Sequence, residues 1–187
     1  ENEIKKLFIK RLSREFKLDY EIVRNELEKL NDFETWNAGE TCLSYTHLVT
    51  SFPFILLPFN YHYSARYTVL GNEQDMNHTY KTSDGIETFP SFDQTSDSTL
   101  EQSRIIESMT RKSINVTSVI EPLSDLAVMK ILIDRYRDYA KYIISCGCLD
   151  GTEEKRWCKR CSTCARYYLY WAASDADLKI MGLYINC

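Results

Sequence analysis

The residues best suited to chemistry in this chain are its cysteines. There are seven, at positions 42, 146, 148, 158, 161, 164 and 187, and five of them fall between Cys146 and Cys164. A disulfide framework spreads its cysteines along the chain and needs an even number, so the odd count and tight clustering argue against one. Thiolates crowded at this spacing suit a metal. Cys158-Lys159-Arg160-Cys161-Ser162-Thr163-Cys164 is two overlapping Cys-x-x-Cys turns, each able to bring two sulfurs to one tetrahedral ion. Cys146 or Cys148, about a dozen residues upstream, can supply a fourth sulfur. Four sulfurs close the coordination shell, so the expected ion is a structural zinc with no open position for catalysis. An iron–sulfur cluster takes the same ligands and is the rival. Four thiolates on Zn²⁺ leave a formal charge of about −2, which Lys155, Arg156, Lys159, Arg160 and Arg166 are placed to offset. A helix starting at Ser162 would favour thiolate at Cys161 and Cys164. The expected role of the metal is to pin that last helix to a sheet.

A metal cluster of this kind implies a reducing, cytoplasmic setting. Asn77-His78-Thr79 and Asn115-Val116-Thr117 are glycosylation sequons that would mean secretion. With no signal peptide they read as chance triplets. The chain opens Glu1-Asn2-Glu3, without Met, and reads as a fragment or processed product with a functional segment expected upstream.

The second group of candidates is Gly71-Asn72-Glu73, which follows the β-branched and aromatic run Ala65 to Leu70. In open α/β sheets ligands bind beyond the carboxyl ends of strands. Gly71 would let the backbone approach a ligand, and Asn72 and Glu73 offer polar groups. A plain turn after a strand is an equal alternative. Asp75 and Tyr80 follow in a polar stretch that can bind substrate or metal or serve only as polar surface. His47 lies in an apolar stretch and reads as a core histidine; His78, in the polar stretch, is the better acid–base candidate. Neither has a visible partner, no Ser/His/Asp order is present, and no catalytic residue is assigned.

The elements that must position these residues follow from periodicity and breakers. Residues 2–31 carry apolar positions at helical spacing, with Asp19 placed to cap a second helix from Tyr20 to Leu30. Asn31 to Glu40 is a connection. Cys42 to Ser51 is expected to be a buried helix that breaks before Pro53. A buried strand over 65–70, a long polar loop over 74–100, a helix from Leu100 to Ile114 and a second strand over 115–120 come next. Ser124 is placed to cap a helix from Asp125 to Arg137, and a final helix spans Ser162 to Ala173. This alternation predicts an α/β fold, with a partial parallel sheet flanked by helices. The expected divisions are an N-terminal helical segment (1–40), the C-terminal part of an α/β nucleotide-binding domain (41–145) and a zinc-binding segment (146–187). With 187 residues the chain has room for one sizeable core or two small ones. Six glycines and four prolines exclude collagen and low-complexity disorder. The longest apolar run, Phe52 to Phe59, is too short for a membrane span. A net charge of −4 gives nucleic-acid binding no support.

The order of these pieces resembles the C-terminal half of the PP-loop (N-type) ATP pyrophosphatases, the adenine nucleotide α-hydrolases. It looks most like the 7-cyano-7-deazaguanine synthases. The matching positions are Val69-Leu70-Gly71-Asn72-Glu73, the Pro122-Leu123 turn before a helix, Ser145-Cys146, and Cys158, Cys161 and Cys164. The ATP-dependent epimerases of a muramoyl-peptide L-glutamate are similar too. They share Leu70-Gly71-Asn72-Glu73, Asn77-His78-Thr79-Tyr80 and Arg156-Trp157-Cys158. The resemblance covers about residues 41–173 and rests on short motifs.

It implies a cytoplasmic enzyme that uses ATP and Mg²⁺ to adenylate a small-molecule acid, releasing pyrophosphate before a nucleophile displaces AMP, as in queuosine (deazapurine) synthesis. It implies that Gly71, Asn72, Glu73, Asp75 and Tyr80 line the nucleotide or substrate pocket. It also implies that Cys146 joins Cys158, Cys161 and Cys164 on zinc. The family's Ser-Gly-Gly-x-Asp-Ser loop is not present, since no two glycines are adjacent. That loop is expected upstream of residue 1, and this stretch alone is expected to be inactive. A homodimer is compatible with the pattern. The non-enzymatic alternative is a zinc-stapled module whose tyrosines, with Arg66, Arg104 and Arg111, contact a protein or stack on bases; the overall acidity weighs against it.

Overall fold

The computed structural model describes residues 3–26, 46–143 and 156–183. The chain divides into a central unit, Arg24–Asp125, and a terminal unit formed by Glu1–Val23 with Leu126–Cys187. The connection at 31–40, Cys42, Cys146, Cys148, Cys187 and the side chain of His47 lie outside the described residues.

Among the described residues the first helix of the chain is α1 (Glu3–Phe16), in the terminal unit, and the next is α2 (Thr46–His62), in the central unit. It does not break before Pro53, as expected, but runs through Pro53 and Pro58. Each proline removes one backbone donor. Pro53 is fully buried, and Phe54 and Leu57 pack against Ile106, Ile114 and Val116, so burial of an apolar helix outweighs the lost bonds. Strand β1 (Tyr67–Leu70) pairs in parallel with β4 (Asn115–Ser118), Tyr67 opposite Asn115 and Leu70 opposite Ser118. The expected parallel sheet is therefore present as one two-stranded pair. β1 is half-buried rather than buried: Thr68 faces inward while Tyr67 and Val69 are 60% and 54% exposed.

The stretch expected to be a polar loop over 74–100 is structured. A 3₁₀ turn (Gln74–Asn77) leads into the antiparallel hairpin β2 (Tyr80–Lys81) and β3 (Glu87–Thr88). Its turn closes through the Gly85 N–H to the Thr82 carbonyl, with Gly85 at a φ of +80°. After a second short turn (Phe92–Gln94), helix α3 spans Ser96–Thr110, four residues ahead of its expected start. The reason is Thr95, whose hydroxyl accepts the Ser98 N–H at 3.2 Å and caps the helix. Arg111, in the left-handed region, ends it. The buried stripe of α3 is Ser98, Thr99, Gln102 and Ile106.

The terminal unit combines helix α1 (Glu3–Phe16), α4 (Asp125–Arg135, from its second residue), a 3₁₀ segment (Arg137–Tyr142), α5 (Ser162–Ala173) and α6 (Leu178–Met181). The first of the two helices expected over 2–31 is present and ends at Phe16, ahead of Asp19. Lys17 turns left-handed (φ 53°) and the Leu18 N–H reaches back to the Ser13 carbonyl at 2.9 Å, a Schellman-type stop without glycine. Residues 18–26 form no second helix, in contrast to the expectation over 20–30. Phe8 of α1 meets Tyr142 edge-on at 6.2 Å, and Phe16 lies 4.8 Å from Tyr139. The core is Met129, Ile133, Trp157, Cys164, Trp171 and Met181, with smaller neighbours. Among the described residues no helix is long and apolar enough to cross a membrane.

Candidate functional site

Two places gather residues with chemical potential, one in each unit. In the central unit the loops after β1 and β4 leave the same end of the sheet and are tied together. Ser118 Oγ donates to the Asn72 carbonyl at 2.7 Å. The Gln74 N–H donates to the Leu123 carbonyl at 2.9 Å. Asp75 Oδ2 accepts the Asp125 N–H at 2.8 Å. Asn77 Oδ1 accepts the Ser96 N–H at 2.8 Å, and Ser96 Oγ lies 2.9 Å from the same oxygen while also bonding the Glu121 carboxylate.

Within this frame Asn72 is 5% exposed, and its Nδ2 finds no hydrogen-bond partner among the described residues; nor does Oε1 of Gln102, buried on α3. Buried amides without partners are uncommon, which marks them as places for a ligand or water. Glu73 is half-buried beside Asn72 in sequence. Gly71 is exposed, and a Cβ there would meet no atom within 4 Å, so neither backbone conformation nor packing within the chain requires glycine. Tyr80 stands on the β2–β3 hairpin, half exposed, and neither it nor His78 makes a side-chain hydrogen bond among the described residues. The structure thus joins Asn72 and Asp75 in one frame and leaves Tyr80 and His78 outside its hydrogen bonds. Ser96, Ser118 and Glu121 belong to the frame too. Glu121 lies beside the Pro122-Leu123 turn, whereas nothing in the sequence singles out Ser96, 19 residues from Asn77.

The second place is the cysteine turn. The three sulfurs of Cys158, Cys161 and Cys164 lie within 4.8 Å of one another, and Cys158 Sγ is 3.8 Å from Cys164 Sγ. Zn–S bonds of about 2.3 Å in a tetrahedron give a sulfur–sulfur edge of about 3.8 Å, so this spacing fits the ion. None of the three is in a disulfide. Cys161 caps α5, its sulfur accepting the Cys164 N–H at 3.4 Å, which places it at the end of a helix that favours negative charge. Cys164 is buried against Trp157 and Trp171, while Cys158 and Cys161 are half-buried at the edge of that core.

Arg156 has a role its charge alone did not suggest. Its guanidinium donates to the carbonyls of Ala140 (3.2 Å), Ile180 (3.3 Å) and Met181 (2.8 Å), and also to that of Lys141. Burial lowers its pKa from the ordinary arginine value. Trp157 Nε1 donates to the same Met181 carbonyl at 2.6 Å. The two residues before Cys158 therefore bind the cysteine turn to the ends of the 3₁₀ segment and α6. Gly182, at a φ of +74°, lets this happen: a Cβ there would come 3.1 Å from Arg156 Nη2. The acceptors lie 13 or more residues away in sequence, so no local pattern announces the arrangement.

Compared with protein-family models, curated proteins and solved structures, the chain matches none.

Proposed function

We propose that this chain belongs to an ATP-dependent, substrate-adenylating enzyme of the PP-loop kind, cytoplasmic and stapled by a structural zinc. The observation that carries the reading is the pair of parallel strands β1 and β4, with the loops at their carboxyl ends cross-linked and the buried side-chain Nδ2 of Asn72 without a partner among the described residues. That end of a parallel sheet is where α/β proteins bind nucleotides and substrates. In this reading Asn72 and Glu73 contact ligand, with Gly71 and Tyr80 at the margin. Asp75 and Glu121 hold the loops in place, and no residue is assigned to bond making. Zinc would be held by Cys158, Cys161 and Cys164 with Cys146. It contributes stability rather than chemistry, since four sulfurs leave no open position. ATP and Mg²⁺ would be bound with the help of a glycine-rich phosphate loop that these 187 residues do not contain.

The deazaguanine-type synthase is the first candidate for the reaction. The muramoyl-peptide epimerase is the second, favoured by the structural work done at positions it shares, Asn77, Arg156 and Trp157. The test is pyrophosphate release from ATP by the protein at the full length its gene encodes, offered purine carboxylic acids and glutamyl peptides in turn. Release that depends on one acid and falls in Asn72→Ala supports the reading and chooses between the reactions. No release with any acid, together with no adenine-nucleotide binding, overturns it and leaves the zinc-stapled binding module.

A further inference from the structure

The amino ends of β1 and β4, opposite the loops just described, frame a second cleft. It has a volume of about 560 Å³ and is lined by Asn60, Tyr61, Arg66, Tyr67, Lys112 and Asn115 among others. Its framework is well fixed. The Asn60 amide, 6% exposed, bonds Thr68 Oγ1 at 3.2 Å and reaches the Tyr67 carbonyl at 3.4 Å. The Asn115 N–H bonds the Arg66 carbonyl at 2.8 Å. Lys112 Nζ sits 3.8 Å from the centre of the Tyr61 ring, whose hydroxyl reaches the Thr110 carbonyl. The lysine is thus held by an aromatic face and not by an acid.

No Asp or Glu lines this cleft, and among the described residues neither Arg66 nor Lys112 makes an ion pair. The chain as a whole carries a charge of −4, so two cations at one cleft without an acid run against its balance. The carboxyl end of α3 accounts for a cation at Lys112. It does not account for Arg66, which lies in the connection leading to β1, nor for the aromatic and amide walls.

We infer that this cleft binds a phosphate group, with Arg66 and Lys112 as its charge partners and the amide of Asn115 beside them. Arginine and lysine both recognise phosphate, the one by its planar fork and the other as a point charge. The inference is independent of the adenylating function and concerns the other end of the sheet.

The test is calorimetric titration of the 187-residue chain at low ionic strength with inorganic phosphate, AMP and adenosine. Binding of AMP but not inorganic phosphate identifies a nucleotide as the source of the group, and binding of both identifies phosphate itself. In either case adenosine does not bind, and affinity falls as salt is raised. Arg66→Gln and Lys112→Gln, both at exposed positions that leave the fold intact, each weaken binding by about tenfold or more. Binding by neither phosphate compound, or adenosine binding as tightly as AMP, overturns the inference. So does binding that survives both substitutions and disappears in Asn72→Ala, which belongs to the opposite end of the sheet.

Discussion

Replacing Arg156 with glutamine should unfold the terminal unit more readily than the loss of any exposed charge. Its guanidinium makes three contacts of 2.8–3.3 Å to the carbonyls of Ala140, Ile180 and Met181, and Ala140 and Met181 are themselves fully buried. Hydrogen bonds to a charged donor are worth about 1.5–3 kcal/mol each. The three share one side chain and do not add fully, so the expected loss is about 3 kcal/mol. At a urea dependence of about 2 kcal/mol per molar, the midpoint falls by about 1.5 M. Trp157 and Trp171, 3% and 0% exposed in this core, report the transition by fluorescence. Arg166→Gln removes the same charge from an exposed site on α5 and should shift stability by no more than about 0.5 kcal/mol. Equal midpoints for Arg156→Gln and the unmutated chain would refute the role assigned to the guanidinium. Equal shifts in the two variants would mean that net charge, and not the carbonyl contacts, matters.

Asp75→Ala should destabilise the start of α4 by about 1 kcal/mol, and Asp75→Asn by less because it keeps an acceptor for the Asp125 N–H; chemical unfolding of both variants checks the order. Gly182→Ala should cost at least about 1 kcal/mol, since it combines a left-handed φ with a Cβ pressed on Arg156, and it should lose that extra cost in an Arg156→Gln background. Tyr142, whose hydroxyl bonds the Glu15 carboxylate, has its pKa raised above 10.0 chiefly by that bond. The unfolded chain then loses this proton at lower pH than the folded one, so its contribution is complete below about pH 10 and declines as pH rises through the folded value. Melting curves between pH 8 and pH 11 (roughly the range in which tyrosine titrates) should show this decline, and the decline should be smaller in Tyr142→Phe.

What the sequence made legible was what local chemistry decides. Helix α5 begins and ends where it was expected, because Cys161 leads into an uninterrupted run of good helix residues. The two strands stand where β-branched residues cluster, and they pair in parallel. The cysteine spacing brings three sulfurs together because a Cys-x-x-Cys turn is a local geometry. Where tertiary packing decides, local rules failed. Pro53 and Pro58 should interrupt a helix, yet a buried apolar face carries α2 through both. Lys17 and Arg111 end their helices in a conformation usually left to glycine, so neither stop could be read from composition. The polar stretch after Asn72 looked featureless because its order comes from Asn77, Ser96 and Glu121, which meet only when the chain has folded.

In the reading proposed above, the cysteine turn grips one metal ion and so fastens α5 to the core of the terminal unit. This is tested most directly by metal analysis of the protein purified without added metal or chelator, alongside a triple variant with Cys158, Cys161 and Cys164 changed to serine. The protein should carry close to one zinc per chain, the variant none, and removing the metal should lower the melting temperature. A protein that carries neither zinc nor iron in near-stoichiometric amount, or whose three thiols are oxidised in disulfides, would contradict it.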